Sequence, residues 1–500
     1  MAAPTDEVPL VSSNGRDKYG TTTDEEDFVS TNQPKLLHFF EIVAILSTAF
    51  SYGCVMTTLF LITLPVECKR IQHEHPTVQK SISLAIFVAI AGVTQLVSPL
   101  IGRLSDTYKP PTNDIGQRMP YLVLGAIITV IGLLGQGFSS AWSFWIRYSV
   151  AFFLHMIGLN IIYSMMITLI PDQVPESQTG VANGILALLI VTGALFGFGL
   201  FNSVLGENIL SMYGLYTCIV IGTTILTCSY AHERDVEKTH FRKGDAESSE
   251  DGRPRILNPF LLIRSMLIDP IRQLDWKTLQ KSYTIDASKY HDFFIVTVSR
   301  TFYYMGISVQ TFFLYFLTDI IHVKDNPESA VAILAIFGQC AGALTCYPVG
   351  MASDKFFHGR RKPFVYFACA ILASATLSTI FMSDMHHMVI ASCLLGGANG
   401  IYLTMDTSLA VDTLPIEQQD DPDGCGHAQL LGVWGVAGFV GSALGPLVGG
   451  PLLYAFGNPT LSPEGEVEYS IQGYSVCFSM SALYFLISAL ILRLIRNESV

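Results

Sequence analysis

Long apolar stretches alternate with polar connections along most of the chain. Twelve of them are long enough to cross a bilayer as helices, since a hydrocarbon core needs about 20 mostly apolar residues per helix. They lie approximately at 38–64, 79–101, 120–138, 142–170, 181–205, 209–230, 291–320, 329–350, 362–383, 386–413, 426–452 and 470–494. The pattern predicts an all-α membrane protein with twelve transmembrane helices.

Composition and the placement of charge extend this picture. Of the 500 residues, only 14% are charged, whereas a soluble domain carries about 25%. Placing both termini in the cytosol puts 23 of the 29 Lys and Arg residues on that side, as the positive-inside rule requires. We therefore predict an N-in, C-in topology. The acidic segment 1–37 is predicted to be a disordered cytosolic tail rather than a cleaved signal peptide, and 496–500 a short cytosolic tail.

Two short-motif observations concern location and chemistry. Residues 6–11 read DEVPLV, which resembles the acidic dileucine signal read by sorting adaptors. The predicted location is therefore a lysosomal or vacuolar membrane, or the plasma membrane, and the alternative is a solvated arm without a signal. The chain has no P-loop, zinc-ligand spacing or nucleophile elbow, so we expect no cofactor, no metal and no enzymatic activity.

The first six apolar segments are repeated by the last six. GRLSD at 102–106 and GMASD at 350–354 are offset by 248 residues, and three glycines of the fifth and eleventh segments keep that offset. The fourth and tenth segments share Asn-x-x-Tyr and end in DQVP and DTLP. Parallel repeats of this kind are typical of alternating-access carriers. We predict a bundle at 38–230, a cytosolic linker with an amphipathic helix at 231–290, and a bundle at 291–495.

The basic loops after the second and eighth segments resemble the signature G-x-x-x-D-(R/K)-x-G-R-(R/K) of the major facilitator superfamily. The matching positions are Gly102, Asp106, Gly116 and Arg118, with an insertion TYKPPTNDI, and Gly350, Asp354, Lys355, Gly359, Arg360 and Arg361. The resemblance covers about 38–495 and implies the major facilitator fold, with two pseudo-symmetric six-helix bundles. Each basic loop is followed by a proline and an aromatic residue, and an aspartate precedes LAxDxLP in the tenth segment. These motifs resemble those of the cation-coupled sugar symporters, which include plant sucrose carriers and animal proton-coupled sucrose/hexose relatives.

The paired motifs predict a cytosolic gate between the two bundles. In the resembled fold, Asp106 and Asp354 face the starts of the eleventh and fifth helices, whose free N–H groups and dipole favour a carboxylate. Basic loop residues would reach the carboxylates that end the fourth and tenth helices, and the pairs would separate in the inward-facing state. The alternative is that the basic residues only obey the positive-inside rule. The predicted gate residues are Asp106, Arg118, Asp172, Asp354, Arg360, Arg361 and Asp412.

Two ionisable residues lie deep in apolar segments, where such a residue is by default a functional hypothesis. At about 1.5 Å per residue, Arg300 lies about 12 Å and Asp406 about 9 Å from the cytosolic ends of the seventh and tenth helices. Both helices line the cavity of the resembled fold, so we expect an Arg300–Asp406 pair. An aspartate ionises readily beside an arginine and holds its proton when alone in an apolar cavity. The pair would couple transport to protons; the alternative is a permanent structural bridge.

Neutral polar residues on the inner helices predict a solute site. Amides and phenols suit an uncharged polyhydroxylated solute because each can donate or accept a hydrogen bond, and no array of basic residues is present for a polyanion. The alternative for each is a hydrogen bond to a neighbouring helix. The predicted binding residues are Asn160, Tyr163, Gln310, Asn399 and Tyr402, together with the charged Arg147, for which the alternative is a role in closing the outer gate.

These features predict a secondary carrier that moves a small polar solute by proton symport, with a sugar as the leading hypothesis. The alternative is a proton antiporter or exporter of amphipathic or organic-ion substrates, because the glycine pattern at 432–450 resembles one that drug/proton antiporters carry in their fifth helix. A receptor or partner subunit that binds without transporting is a third possibility. The expected partners are the solute, protons, the lipid bilayer and a sorting adaptor at 6–11, but no nucleic acid.

Overall fold

A computed structural model describes most of the predicted helical part of the chain. The described residues are 36–64, 67–68, 70–71, 86–87, 90–108, 117–141, 145–200, 209–231, 280, 282–323, 327–415, 426–458, 460–461 and 467–496. The predicted tail, the sorting motif at 6–11, Gly116 and the amphipathic helix of the linker lie outside these residues.

Helices make up almost all of the described structure. The first seven are α1 (Phe39–Ile45), α2 (Thr48–Thr58), α3 (Val97–Thr107), α4 (Met119–Ala141), α5 (Trp145–Gln173), α6 (Thr179–Leu200) and α7 (Ile209–Tyr230). The next seven are α8 (His291–Ser308), α9 (Phe313–Asp319), α10 (Pro327–Lys355), α11 (Lys362–Thr379), α12 (Met385–Asp412), α13 (His427–Phe456) and α14 (Ile471–Ile491). A 3₁₀ turn, Val309–Phe312, joins α8 to α9.

The described part contains one small sheet, which the all-α prediction did not include. Its strands are β1 (Thr460–Leu461) and β2 (Val467–Glu468), and they pair antiparallel between α13 and α14. This ladder of two residues per strand lies in a connection that is too short and polar to cross a membrane. It leaves the helical character of the protein unchanged.

Nine helices in the described residues are long and apolar enough to cross a membrane, and α1 with α2 makes a tenth if the pair is one span. An integral multi-pass membrane protein is therefore confirmed, while twelve spans and the N-in, C-in topology stay predictions. In the second apolar segment, α3 is only 11 residues long, and it follows residues 90–94, which are also helical. The seventh segment is divided between α8 and α9 by the 3₁₀ turn.

The first predicted segment is bent, with an angle of 53° between α1 and α2. Hydroxyl groups account for the break. Ser47 Oγ lies 3.0 Å from both the Thr223 carbonyl and Thr227 Oγ1, and Thr227 Oγ1 lies 3.4 Å from the Ala44 carbonyl. Side chains that compete for helix carbonyls in this way are a recognised cause of bends.

Helices of the two predicted halves approach each other through glycines. A Cβ on Gly102 of α3 would collide with the Ala428 carbonyl of α13, and a Cβ on Gly350 of α10 would collide with the Gly180 carbonyl of α6. Small residues permit such backbone contact in membrane helix packing. Gly350 lies 248 residues after Gly102, and Ala428 lies 248 residues after Gly180. The two contacts are therefore equivalent under the internal repeat, which holds at the seam between the halves.

Candidate functional site

Two groups of ion pairs and hydrogen bonds contain the predicted gate residues, and each group is here called a latch. The first latch, formed by Arg118, Asp106 and Asp172, joins the ends of α3 and α5 to the start of α13. Arg118 donates from Nη1 to Asp106 (2.6 Å) and from Nε to Asp172 (2.8 Å). The Asp106 carboxylate also accepts the backbone N–H groups of Ala428 (3.2 Å) and Gln429 (2.9 Å). These groups have no helical partner because they belong to the first turn of α13. Asp106 therefore ties one predicted half to the other.

The second latch repeats this arrangement with α10, α12 and the start of α6. Arg361 donates from Nη1 to Asp354 (2.5 Å) and from Nε to Asp412 (2.9 Å). The Asp354 carboxylate accepts the N–H groups of Gly180 (3.2 Å) and Val181 (2.8 Å). Each donor atom and each acceptor has its counterpart in the first latch.

Both latch arginines keep their charge although they are buried, with side-chain exposures of 3% for Arg118 and 2% for Arg361. Burial acts to lower the pKa of each guanidinium, but the charges of its two carboxylates outweigh burial and raise the pKa above its ordinary value. A buried charge of this kind is tolerated only with such partners. Losing either carboxylate would leave the guanidinium poorly compensated.

Two serines complete the latches and were not predicted. Arg118 Nη1 donates to Ser105 Oγ (2.8 Å), and Arg361 Nη1 donates to Ser353 Oγ (2.7 Å). Both serines directly precede the latch aspartates in GRLSD and GMASD. The repeated motif therefore contained a signal for both serines.

Arg360, which was predicted for the gate, does not join the second latch. Its side chain is exposed, and among the described residues it forms no ion pair with Asp354 or Asp412. The preceding turn has positive φ at His358 (53°) and Gly359 (82°). The chain then starts α11, and the next residue, Arg361, is the one that faces the seam.

The structure brings Arg300 of α8 and Asp406 of α12 together as a buried ion pair, with relative exposures of 4% and 3%. The guanidinium also lies 3.5 Å from the ring centroid of Trp434 and 4.7 Å from that of Tyr304. Its Nη2 donates to the Tyr304 hydroxyl at 3.3 Å. One carboxylate and two aromatic faces therefore compensate the buried charge of Arg300.

A cavity of about 200 Å³, here called the central cavity, lies beside this ion pair. It is lined from the predicted N-terminal half by Tyr52, Gln95, Ser98, Asn160 and Tyr163, and from the C-terminal half by Arg300, Tyr304, Gly435, Gly438, Phe439 and Ser442. The Tyr52 and Tyr163 rings stack at 4.6 Å. Arg300 belongs to the lining and Asp406 does not, so the cavity contacts the arginine member of the pair.

A second cavity of about 200 Å³ lies between α6, α8, α9, α10 and α12, and is here called the amide cavity. Three carboxamides line it: Gln310, Gln339 and Asn399. The Tyr303 hydroxyl donates a hydrogen bond to Asn399 Oδ1. Predicted binding residues thus fall into two places, with Asn160 and Tyr163 at the central cavity and Gln310 and Asn399 at the amide cavity.

Two of the predicted binding residues line neither cavity. Tyr402 is 1% exposed, and its ring stacks on that of Tyr303 with centroids 3.4 Å apart. Arg147 is exposed in the first turn of α5. Helix rotation explains the result for Tyr402, since a side chain at the right depth can still face the core of its own half.

Tyr304, Trp434 and Gln339 were not predicted. Tyr304 lies four residues after Arg300, a spacing that places two side chains on one face of a helix, so the sequence contained a signal for it. Trp434 and Gln339 had no comparable signal, because no repeat or motif marks either position.

Two other ionisable residues act as structural anchors. Asp319, at the end of α9, accepts hydrogen bonds from the Tyr474 hydroxyl (2.6 Å) and the Tyr469 N–H (2.9 Å). Glu41, in the first turn of α1, accepts from the His38 N–H (2.9 Å). Within the described ranges, no group of three or more His, Cys, Asp or Glu residues could hold a metal ion.

Comparison with known proteins places these features in a family context. A family model described as the Major Facilitator Superfamily matches residues 42–421, more than half of the chain. The efflux pump vrtL of Penicillium aethiopicum is 27% identical over 209 residues, which is 37% of this chain and 40% of the pump. The chain thus matches less than half the length of this relative.

Solved structures share the overall architecture. The human organic anion transporter MFSD10 (TETRAN) has a TM-score of 0.63 at 15% identity, with 92% of this chain and all of that chain covered. A bacterial homologue of the iron transporter ferroportin, in an outward-facing state, gives 0.60 at 12%, with 92% and 100% covered. FucP in the outward conformation gives 0.52 at 11%, with 92% and 99% covered. These likenesses confirm the predicted fold.

Proposed function

The chain belongs to the Major Facilitator Superfamily, whose members are membrane transporters rather than enzymes, and we propose that it moves a small polar solute by proton symport. A sugar is the solute class that we favour. The position of Arg300 carries this proposal, because the same guanidinium lines the central cavity and pairs with the buried Asp406. A change in the protonation of Asp406 would therefore change the interaction of Arg300 with a solute in the cavity.

The chemistry of the central cavity supports a neutral solute. Three tyrosines, two amides and two serines supply donors and acceptors, and Arg300 is the one charged residue in the lining. Its charge is matched by Asp406, so an empty cavity is close to electrically neutral. Aromatic rings and hydroxyl-bonding groups together suit a polyhydroxylated ring with apolar C–H faces.

The closed latches support alternating access. With both formed, the ends of α3 and α10 are held against the starts of α13 and α6. Opening on that side must break Asp106 and Asp354 away from the helix N-termini, and each N-terminus then exchanges a carboxylate for water. We propose that solute and proton enter with the latches closed and leave after they open.

Uptake by proteoliposomes tests proton symport. Purified protein is reconstituted, and uptake of radiolabelled glucose and sucrose is followed with the outside more acidic than the inside, and at equal pH. We expect accumulation above equilibration only with the inward proton gradient. Equal uptake under both conditions contradicts proton coupling, and uptake of neither compound in either condition contradicts a sugar as the solute.

Proton antiport is the second candidate, and two observations favour it. The relative vrtL is an efflux pump, and α13 carries an antiporter-like glycine run in which a Cβ on Gly441 would collide with the Thr301 carbonyl of α8. In the same proteoliposomes, antiport predicts accumulation when the inside is the more acidic compartment. Probes for this candidate are an organic cation and an organic anion, the latter because MFSD10 is an organic anion transporter. Binding without flux would instead support a receptor or partner subunit.

We also propose a lysosomal or vacuolar location on the basis of DEVPLV at 6–11. Replacing both Leu10 and Val11 by alanine removes the apolar pair that an adaptor would bind. A fluorescent fusion of this variant is expected to move from internal membranes to the cell surface. An unchanged distribution would mean that the motif is not a sorting signal.

A further inference from the structure

The amide cavity presents hydrogen-bonding groups that the protein itself does not use. Gln310 and Gln339 have no hydrogen-bond partner among the described residues, and both are only partly buried. Asn399 accepts from Tyr303 through Oδ1, which leaves its two Nδ2 hydrogens available. Because these amides are only partly buried, they can donate to and accept from a molecule in the cavity. Three carboxamides facing one space indicate that a ligand, or water in its absence, supplies them.

Glycines bring two helices together at the wall of this cavity. A Cβ on Gly400 of α12 would lie 2.5 Å from Thr345 Oγ1 and 2.6 Å from the Gly342 carbonyl, and a Cβ on Gly396 would collide with the Gly338 carbonyl. The backbones of α10 and α12 are therefore in close contact, as small residues permit in membrane helix packing. Gly338, Gly342, Gly396 and Gly400 all belong to the cavity lining, so this close contact forms part of its wall.

The rest of the lining defines the class of ligand. The residues that line the cavity include Val191, Ile307, Phe313, Leu334, Met388 and Leu403, and none of the lining residues is ionisable. A charged ligand would lose its hydration there without a counter-charge. A volume of about 200 Å³ is below the range of about 300–1,000 Å³ that drug-sized ligands occupy.

We propose that the amide cavity is a second solute site, which binds a neutral polyhydroxylated molecule of monosaccharide size through Gln310, Gln339 and Asn399. This inference rests on the proposed function for its choice of solute class. It adds that the chain binds two such molecules, one in each cavity. Tyr303 lies between the two sites, since it precedes Tyr304 of the central cavity and donates to Asn399 of the amide cavity.

Equilibrium binding to the purified full chain tests the proposal without requiring transport. Radiolabelled glucose is the probe, and gluconate is its charged counterpart of similar size. We expect two glucose molecules per wild-type chain, and one in the Gln310→Leu/Gln339→Leu variant. Each single variant should weaken that site about threefold to tenfold, the loss expected for one hydrogen bond. Gluconate should not bind at this site.

Control variants separate a lost site from a misfolded protein. Gln472→Leu, at an exposed position of α14, should keep both glucose molecules. Asn160→Leu in the central cavity should remove the other glucose, so the molecule retained by each variant shows that the rest of the protein is folded. Gln339→Asn, which shortens the amide but keeps its polarity, should weaken binding less than Gln339→Leu.

Several outcomes would overturn the proposal. These are wild-type stoichiometry in the Gln310→Leu/Gln339→Leu variant, gluconate binding that this variant loses, or no glucose binding by the wild type. Failure of proton-driven uptake with two bound glucose molecules would reject symport and leave the second site standing. Suppose instead that uptake is proton-driven, that the wild type binds a single glucose, and that the variants of both cavities retain it. That result would reject the second site and leave symport standing.

Discussion

The environment of Arg300 illustrates how much a single side chain can connect. Its guanidinium pairs with Asp406, lies on the ring of Trp434 and donates to Tyr304, and Arg300 also lines the central cavity. Arginine suits this place because its planar, weakly hydrated group can stack and form a salt bridge at once. Protonation of Asp406 would change only one of these contacts, so the guanidinium could turn toward a solute while keeping its aromatic support.

Asp406→Asn is expected to abolish gradient-driven accumulation while sparing solute exchange. The amide keeps the shape and an acceptor oxygen but cannot take up and release a proton at ordinary pH. Removing one charge of a buried pair costs about 3–5 kcal/mol, so the melting temperature should also fall. Accumulation and exchange are compared in proteoliposomes with and without a proton gradient.

Asp384→Asn is the matched control for this prediction. Asp384 precedes the same helix, and its side chain is 66% exposed, so its replacement should leave both activities unchanged. If Asp406→Asn keeps both accumulation and exchange, the pair is a structural bridge and the coupling residue lies elsewhere.

Tyr303→Phe tests the contact between the buried core and the amide cavity. The variant keeps the ring that stacks on Tyr402 but loses the hydroxyl that holds Asn399. Glucose affinity should fall about threefold to tenfold, because one hydrogen bond no longer fixes the amide. Tyr454→Phe, at an exposed position of α13, is the control in the same binding assay. Unchanged affinity in Tyr303→Phe would mean that Asn399 is held adequately without it.

At the seam between the two predicted halves, the end of one helix caps the start of another. The carboxylate at the end of α3 caps the start of α13, and the carboxylate at the end of α10 caps the start of α6. Each arginine then ties its capping carboxylate to the end of a second helix in the same half, α5 or α12. One latch therefore links three helix ends, and the halves separate where its capping carboxylate leaves the start of the opposing helix.

Arg118→Lys and Arg361→Lys are expected to lower the transport rate by about tenfold, and to similar extents. In each latch, Nε and Nη1 of the arginine donate to different carboxylates. A lysine has one ammonium group and cannot reproduce that fork. Initial uptake rates and melting temperatures measure the effect. The control is Arg360→Lys, one residue away and exposed, and a loss in this control equal to that in Arg361→Lys would contradict the latch geometry.

Gly102→Ala and Gly350→Ala should prevent the seam from closing fully. An added Cβ would meet the backbone of the opposing helix, which cannot rotate away as a side chain can. Transport should fall about fivefold or more, because overpacking at a rigid contact costs about 1–3 kcal/mol. Gly222→Ala is the control, since a Cβ there has no atom within 4 Å. Normal uptake by both seam variants would show that the helices have room to separate slightly.

Different sequence patterns predicted different features of the fold and the site. The offset of 248 residues singled out the equivalent aspartates Asp106 and Asp354, and the resemblance to the major facilitator fold predicted the helix starts that they face. Counting residues predicted that Arg300 and Asp406 lie at one depth. Rotation about a helix axis has no such signal, and therefore Tyr402 was assigned to a solute site although it faces the core.

Other features could not be derived from apolar length. The bend between α1 and α2 arises from Ser47 and Thr227, which are far apart in the sequence. The wall of the amide cavity is formed in part by glycine contacts between α10 and α12. Such contacts are tertiary, so a hydropathy pattern is the same with or without them.

At the scale of the whole molecule, the two predicted halves hold each other by reciprocal contacts. Each half supplies one capping carboxylate and one helix start to be capped. The interface is therefore isologous in the sense used for symmetric dimers, although both parts belong to one chain.

Expression of 1–255 and 256–500 as two separate chains in one cell should yield an assembled transporter. Reciprocal capping gives each half a complementary surface on the other, so the pieces should purify together through a tag on one of them. The same split protein with Arg118→Ala and Arg361→Ala should give a severalfold lower yield of the assembled pair. Equal yields from both would assign the association to the rest of the seam.

Among the described residues, the buried Arg300–Asp406 pair has no counterpart in the other predicted half, unlike the latch. At the place in α5 that corresponds to Asp406, the chain has Ile167, buried at 1% exposure. The predicted gate is thus present in duplicate, whereas the proposed coupling pair is present in a single copy. Under that proposal, a mutation can alter the energy source of transport at one depth of one half without changing the latch residues. A passive facilitator, a symporter and an exchanger would then be close neighbours in evolution, separated by few substitutions around α8 and α12.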